Sequence, residues 1–586
     1  MKILVKLIRG HVFKIGIFTK VFKMKNFLLS FIFIFTFFHS LNANDLIDVI
    51  NTFQADKYAL VQMYTIDESE EYYQRLSEFY EDSREKLEKI NFEELSRDGQ
   101  IDYLLLENLI NKEAYFLRID YRAYKDVAFV IDFAEEIYSF IRERRRGKRP
   151  EGEELAKYFA SAEREIDNRM GSLQDTPFKG WMEAEKASAV VGSLSDELRE
   201  AYEFYYSYDP QFTWWMERPY ESLSKKLGTY QEFLENNYTE DIVKDDGSGI
   251  IGKPIGREAI IESLRFEYIP YSPEDLIKAA QEQFDWIKDE MIKAAQEMGY
   301  GNDWRAALEH VKNTYVPPGE QPQTITDVHN HSVDFIKERD LITLPDLANE
   351  TWKMNMMSPQ RQQVNPFFTG GRAITISYPT QEMDHEDKMM SMRGNNPNFS
   401  FPTVQHELLP GHNLQYFMTL RHKSYRGAFG TPFWGEGWAL YWEILLWNKD
   451  FAETPEQKLG MLFWRIHRCA RIIFSLKYHL GEMTPQQAID MLVEEVGHEP
   501  ANAEAEVRRS FATNYSPLYQ LAYMTGGLQF YALRKEMLSK GWTEKHFHDR
   551  VMQENRMPVE MLRLLLQEEP INSNYKTQWK FSTAFE

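Results

Sequence analysis

The chain has 586 residues, of which 43% are hydrophobic and 14% aromatic, ample for a large buried core. Its 68 basic and 90 acidic residues leave a formal charge of −22, and no basic stripe offsets it, which argues against nucleic-acid binding. A single cysteine, Cys469, excludes an intrachain disulfide and a cysteine-based metal cluster; amid apolar residues at helical spacing it reads as core filler.

At the amino terminus, Lys20, Lys23 and Lys25 precede an apolar run from Phe27 to Phe38, and Leu41-Asn42-Ala43 offers a small residue at a cleavage point. The run is short for a transmembrane helix and suits an export signal. Residues 1–43 are therefore expected to be a signal peptide, with Met24 an alternative start and an uncleaved anchor the competing reading. The protein would be periplasmic or secreted, with no stable membrane insertion after cleavage. No cysteine lies just after the run, which argues against a lipid anchor. From Asp45 to about Tyr238, charged and apolar or aromatic residues alternate at helical spacing, as in YYQRLSEFYEDSREKLEKI, predicting an amino-terminal helical lobe over 44–245. Arg142-Glu143-Arg144-Arg145-Arg146 reads as a solvated face. Glycine-rich Asp245–Gly256 marks the boundary to a second lobe over 246–586. Ser272-Pro273-Glu274-Asp275 supplies an N-cap, a first-turn proline and early acids for a helix reaching Glu297. Phe367–Pro379 (FFTGGRAITISYP) is the clearest strand, with an edge that could pair with an extended peptide.

The densest chemistry lies in His406-Glu407-Leu408-Leu409-Pro410-Gly411-His412. HELLPGH is two residues longer than the HExxH signature, in which two histidines one helical turn apart bind zinc and the Glu deprotonates a water. Along a regular helix, position i+6 lies about 120° from position i, so the two histidines cannot face one ion from an unbroken helix. Pro410 predicts a break; a kink through Leu409-Pro410-Gly411 would bring His412 round, with Gly411 tolerating unusual dihedrals. The alternative is that Glu407 and the histidines merely bond to neighbours at a helix end. Glu436, in GEGWALYWE and 24 residues after His412, is placed for a third ligand from a following helix. Glu443, on nearly the same helix face, is its competitor, or else bonds to a ligating histidine. Arg468 and Arg471, one turn apart, could receive a substrate carboxylate or pair with structural acids. His385, His422 and His467 lack a comparable neighbour pattern and read as structural.

Several ordered stretches resemble a large bacterial family catalogued as domain of unknown function 885. HELLPGHNLQ is similar to its HExxPGHHLQ, and EGWALYWE to its EGWALYxE. Arg471–His479 followed by Thr484-Pro485-Gln486-Gln487-Ala488 is similar to RLVVDTGxH…REQA. Pro517–Arg534 follows P-x-Q-A-x-x-Y-x-x-G…LR through Tyr523, Gly526, Leu533 and Arg534, and a weaker likeness starts near Gly256. The chain departs at Asn413, where a second His is common, and at Ser475, where Asp is usual. The family is grouped with the gluzincin metallopeptidases, whose third zinc ligand is a glutamate. The resemblance thus implies that His406, His412 and Glu436 hold Zn2+ and that Glu407 is the general base. It implies Tyr523 and His479 as oxyanion donors, because related helical gluzincins use a Tyr and a His from late helices. The implied substrate is a short peptide. The implied fold is mainly α, a two-lobed helical metallopeptidase-like body with a small β element beside the active-site cleft. Two other readings stay open: a catalytically silent helical binding protein, suggested by Asn413 and Ser475, and a glycan hydrolase using carboxylates such as Glu436 and Glu443.

Overall fold

The computed structural model describes residues 45–240, 245–364, 367–513 and 515–581, so the expected signal segment lies outside the described residues. Helices dominate, as the periodicity predicts. The first three are α1 (Asp45–Met63), α2 (Glu70–Glu88) and α3 (Arg97–Val127). Ser69 and Ser96 cap α2 and α3 by accepting from the amides of Tyr72 and Gly99. After them come α4 (Glu135–Arg145), α5 (Gly152–Asp175), α6 (Trp181–Tyr205) and α7 (Pro210–Glu235). Strand β1 (Phe178–Gly180), before α6, pairs in parallel with β2 (Tyr238–Glu240), after α7, in the register Phe178↔Tyr238.

The buried apolar side chains form two large clusters whose division differs from the boundary expected at Asp245. One joins the end of α3 to α4–α7 through Tyr124, Ile137, Phe159, Val190, Leu194 and Leu227. The other takes Leu46, Phe79, Ile101 and Ile110 from α1–α3 together with residues from Ile250 to Phe581. The physical reason is α3, whose 31 residues extend about 46 Å and leave one core for the other without a linker. The glycine-rich segment, by contrast, is packed down. Ile250 is buried, and a Cβ on Gly252 would overlap the carbonyl of Phe511 and the hydroxyl of Tyr478.

In the larger core, α8 (Pro273–Glu297) opens with the predicted N-cap Ser272, which with Asp275 forms a capping box, each bonding to the other's backbone amide. It packs on the helix Pro455–His479. Strand β3 (Met354–Met356) pairs in parallel with β4 (Ile374–Ile376), so the predicted strand forms over three residues. Ile374 and Ile376 pack with Val404 and Leu408, which anchors this small ladder to the helix bearing His406. The site helices follow as α9 (Pro397–Glu407), α10 (His412–Thr419), α11 (Pro432–Trp447), α12 (Pro455–His479), α13 (Pro500–Phe511) and α14 (Tyr519–Ser539). From Trp438 to Leu446 every side chain of α11 is buried, as expected for a central helix apolar all round. It crosses α14 at a glycine contact: a Cβ on Gly437 would come within 2.6 Å of the Gly526 Cα. That close approach brings Glu436 beside the first turns of α14. Among the described residues no helix is long and apolar enough to cross a membrane.

Candidate metal centre

Helix α9 stops at Glu407, because Pro410 cannot continue the helical hydrogen-bond ladder and disfavours helical geometry at Leu409. The Leu408 amide makes the last helical bond, to Val404 at 2.8 Å, and Leu408 then leaves the helix with φ −103° and ψ −125°. The chain folds back so that the Gly411 amide reaches the Gln405 carbonyl at 3.0 Å, and α10 starts at His412. From α11, the Trp438 indole N–H donates to the Pro410 carbonyl at 2.9 Å and pins the break. Gly411 takes the expected irregular dihedrals, φ −79° and ψ −130°, outside helix and strand geometry, and a Cβ there would also overlap the carbonyl oxygens of His406 and Gln405.

The break brings the two histidines together, with ring centroids 4.9 Å apart and planes at 88°. Glu436 Oε2 stands 3.4 Å from His406 Nε2 and 3.1 Å from His412 Nε2. A tetrahedral zinc site with ligands near 2.0–2.1 Å spaces those ligands about 3.3 Å apart. The opposite ring nitrogens are occupied: His406 Nδ1 meets Glu443 Oε1 at 2.7 Å, and His412 Nδ1 meets Gln415 Oε1 at 3.0 Å. Those oxygens accept, so each Nδ1 donates to them; each Nε2 donates to the Glu436 carboxylate when no cation is held and would offer its lone pair to one that was. Two imidazoles and a carboxylate converging in this way fit a divalent cation of the zinc class. Burial works against charge on His406, but its hydrogen bonds to Glu436 and Glu443 hold its pKa up at about 9. Burial likewise opposes ionisation of Glu436, yet the adjoining His412 and His406 hold it well below the usual carboxylate range.

Glu407 is close enough to compete for a cation: ligand atoms of His406, Glu407 and His412 all lie within 4.8 Å of one another. Glu436 Oε2, at 3.1 and 3.4 Å from the two Nε2 atoms, is the other candidate for third ligand, and Glu407 then stands beside the centre. Burial pushes the Glu407 carboxyl above its ordinary pKa. Against it lies the turn Thr369-Gly370-Gly371, where a Cβ on Gly370 would overlap a Glu407 carboxylate oxygen. Reciprocal backbone bonds of 3.0 and 2.7 Å between Thr369 and Thr375 set this turn beside β4, and the Asn413 amide holds it by donating to the Gly371 carbonyl at 2.9 Å.

A family model described as "Bacterial protein of unknown function (DUF885)" matches residues 62–566. The chain belongs to the DUF885 family. Two solved structures share its fold. One is described as "a putative lipoprotein of unknown function from Shewanella oneidensis": 17% identical, covering 89% of this chain and 99% of that one, with a TM-score of 0.65. The other, "the putative lipoprotein from Colwellia psychrerythraea", is 18% identical and covers 71% of this chain and 74% of that one, with a TM-score of 0.50. At such identities the likeness is one of fold alone. No curated protein matches the chain.

In this DUF885 protein the centre opens into a cavity of about 560 Å3 lined also by Trp464, Arg468, Arg471, Tyr519 and Tyr523. The Tyr523 ring lies 6.2 Å from that of His406, and burial raises the pKa of its phenol, which stays a hydrogen-bond donor. Arg471 Nε donates to Glu506 Oε1 at 2.6 Å, the structural pairing that was one of its two expected fates. Arg468 has no such acid. Its guanidinium lies over the Trp464 and Tyr523 rings, 5.1 and 4.7 Å from their centroids, and its Nε has no acceptor. The residues expected at the site thus converge, with Glu443 behind His406 and one exception. His479 does not line the cavity; its buried ring packs edge-on against the stacked pair of Tyr478 and Phe511, 5.3 and 6.2 Å from their centroids. It is eleven residues beyond Arg468 on α12, about 16 Å along the axis, past the end of the cavity.

The sequence reading missed two contributors. The Tyr519 hydroxyl donates to Glu436 Oε1, and Gln415 orients His412. Each had a signal in the spacing, Tyr519 one helical turn before Tyr523 and Gln415 three residues after His412.

Proposed function

We propose that this DUF885 protein is a zinc-dependent peptidase that hydrolyses short peptides. The observation that carries the reading is the convergence of His406 Nε2, His412 Nε2 and Glu436 Oε2 at 3.1 and 3.4 Å, with Glu407 alongside. The choice of peptide bonds rests on the resemblance of HELLPGH and EGWALYWE to the gluzincin pattern. A zinc ion held by His406, His412 and Glu436 supplies Lewis acidity toward a substrate carbonyl and a water. Glu407 accepts the proton of the attacking water at its carboxylate and returns it to the leaving amine. The Tyr523 hydroxyl donates toward the developing oxyanion, a role typically worth about 10²–10³ in rate. Tyr519 fixes the orientation of Glu436, while Glu443 and Gln415 keep the two imidazoles in the tautomer that offers Nε2. The lobes and the cleft between them belong to the same reading, with the 560 Å3 cavity as the substrate chamber. Export does too, supported by the amino-terminal signal pattern and by two structural relatives described as lipoproteins.

Neither departure from the family pattern weakens the site. Asn413 secures the turn against Glu407, and Ser475 is buried in α12 away from the cavity lining. Paired-carboxylate glycan hydrolysis has less support, since Glu443 is engaged by His406. The test is zinc content of wild-type and His406→Ala protein by elemental mass spectrometry, alongside cleavage of a mixed peptide library. About one zinc per chain, lost with His406, together with library cleavage, is the expected result. Protein that takes up no zinc on reconstitution sinks the reading.

A further inference from the structure

The wall of the cavity away from the two histidines is built from cations. Arg468 and Arg471 from α12 and Arg509 from α13 all line it. One buried acid, Glu506, serves two of them: Arg471 Nε reaches its Oε1 and Arg509 Nη2 its Oε2, both at 2.6 Å. The Gln520 amide adds a third bond to Oε1 at 3.1 Å. With Glu506 so engaged, Arg468 is left as a guanidinium only 5% exposed, facing the cavity with aromatic rings beside it and no acid in a hydrogen bond or ion pair with it; Glu443 and Glu436 act on its charge from farther off. A buried charge without a hydrogen-bonded partner is costly, and a ligand of opposite charge would complete it. The flat Tyr523 ring between Arg468 and Arg471 holds both guanidinium groups in place, at 4.7 and 4.4 Å from its centroid.

We infer that Arg468 binds the free terminal carboxylate of a peptide and so makes this site a carboxyl-terminal exopeptidase, an assignment that rests on the peptidase reading above. The geometry limits how much of the substrate lies between the two ends. Steps of 6.2 Å from the His406 ring to the Tyr523 ring and 4.7 Å on to the Arg468 guanidinium put Arg468 within about 11 Å of His406. A metal–ligand bond and a carboxylate–guanidinium contact take up part of that. At about 3.5 Å per extended residue, the remainder accommodates one or two residues beyond the scissile bond. A guanidinium suits this role because its parallel N–H groups match both carboxylate oxygens.

The test uses full-length Glu407→Gln protein, metal-free and zinc-loaded, titrated calorimetrically with three peptides: Ala-Ala-Phe-Ala as the free acid, its carboxamide, and the amidated Ala-Ala-Phe-Glu. The free acid is expected to bind about 10–100-fold more tightly than the carboxamide. Adding Arg468→Gln should shrink that ratio to about twofold or less, and Arg468→Lys, which keeps the charge without the planar fork, should leave part of it. Arg468→Lys carries the test if Arg468→Gln fails to fold by thermal melt. Equal binding of acid and amide, binding of neither, or an Arg468 variant that discriminates as well as its parent overturns the assignment. Equal binding of the amidated glutamyl peptide and the free acid overturns it too, in favour of an acidic side-chain pocket. Discrimination in binding with no hydrolysis by zinc-loaded wild type would instead sink the peptidase and leave the carboxylate pocket standing.

Discussion

The two buried clusters hold different company. In the cluster of α4–α7 the interior is Ile, Val, Leu, Ala, Met, Phe and Tyr, and among its described residues the only buried acid is Asp209, the N-cap of α7. Its charges stay outside, as where Arg142 meets Glu135 at 3.1 Å on exposed surface. The larger core buries Arg426, Arg471, Glu436, Glu443, Glu506 and Glu554. Desolvating a charge costs several kcal/mol, so an interior of this kind survives only where each ion has a partner. Most do: fully buried Arg426 bonds Asp102 at 2.7 Å and Glu554 at 2.8 Å. Exceptions such as Arg468 face the cavity. One core is almost wholly apolar; the other gives up stability to bury charge around the cavity.

That contrast can be broken most decisively at Glu407. Glu407→Gln is expected to lower peptidase kcat/KM by about 10²–10⁴ while leaving zinc content and melting temperature near wild type. Unchanged turnover would remove the chemical reason for burying this acid. Arg426→Met keeps bulk but strands Asp102 and Glu554, and should lower unfolding free energy by about 3–5 kcal/mol in urea titrations. A loss under 1 kcal/mol would mean that the ion network is not structural. In the other core, Leu194→Ala deletes a fully buried side chain and should lose about 3 kcal/mol with no change in zinc stoichiometry. If zinc binding weakens as well, the two cores are not independent.

How far the site could be read from the sequence follows from how local each cause is. Pro410 announces the break in α9, Glu436 and Glu443 share a face of one helix, and HELLPGH and EGWALYWE carry the resemblance that groups them with the histidines, so the cluster was legible. The irregular dihedrals of Gly411 were legible too, but not its second role, because the close passage of the His406 and Gln405 carbonyls exists only once the chain has folded back. The same holds at Gly437 and Gly526, whose contact exists only once α11 and α14 cross. His479 shares a helix face with Arg468 but lies three turns away, and helix phase carries no information about where a cavity ends. The division of the cores was hidden because an amphipathic pattern says that a face is buried without saying against what; α3 shows one continuous pattern while serving two cores.

Smaller effects sharpen the contrast. The Gln415 amide donates to the Trp434 carbonyl at 3.1 Å, which aims its oxygen at His412 Nδ1. Gln415→Ala frees the ring and should weaken zinc affinity about 10–100-fold in a chelator competition, with stability nearly unchanged. Equal affinity would place the orientation of His412 elsewhere.

The smallest effect, per group, comes from histidines that the site-bearing core keeps uncharged. Burial lowers the pKa of His479 to about 4, of His548 to about 4 and of His498 to about 3, against 6.5 for an exposed imidazole. Below pH 6.5 the unfolded chain takes up protons that the folded chain refuses, so unfolding is favoured as pH falls. The stability these histidines hold is complete above pH 6.5 and drains away toward pH 4. From pH 7 to 5.5 each should contribute a loss of about 1 kcal/mol, read as a falling urea midpoint. The cluster of α4–α7 has no buried histidine, so the acid sensitivity should be confined to the larger core. Hydrogen exchange at pH 5.5 should then accelerate in α12 before α6, and the reverse order would show that the charge-bearing core is not the one acid weakens.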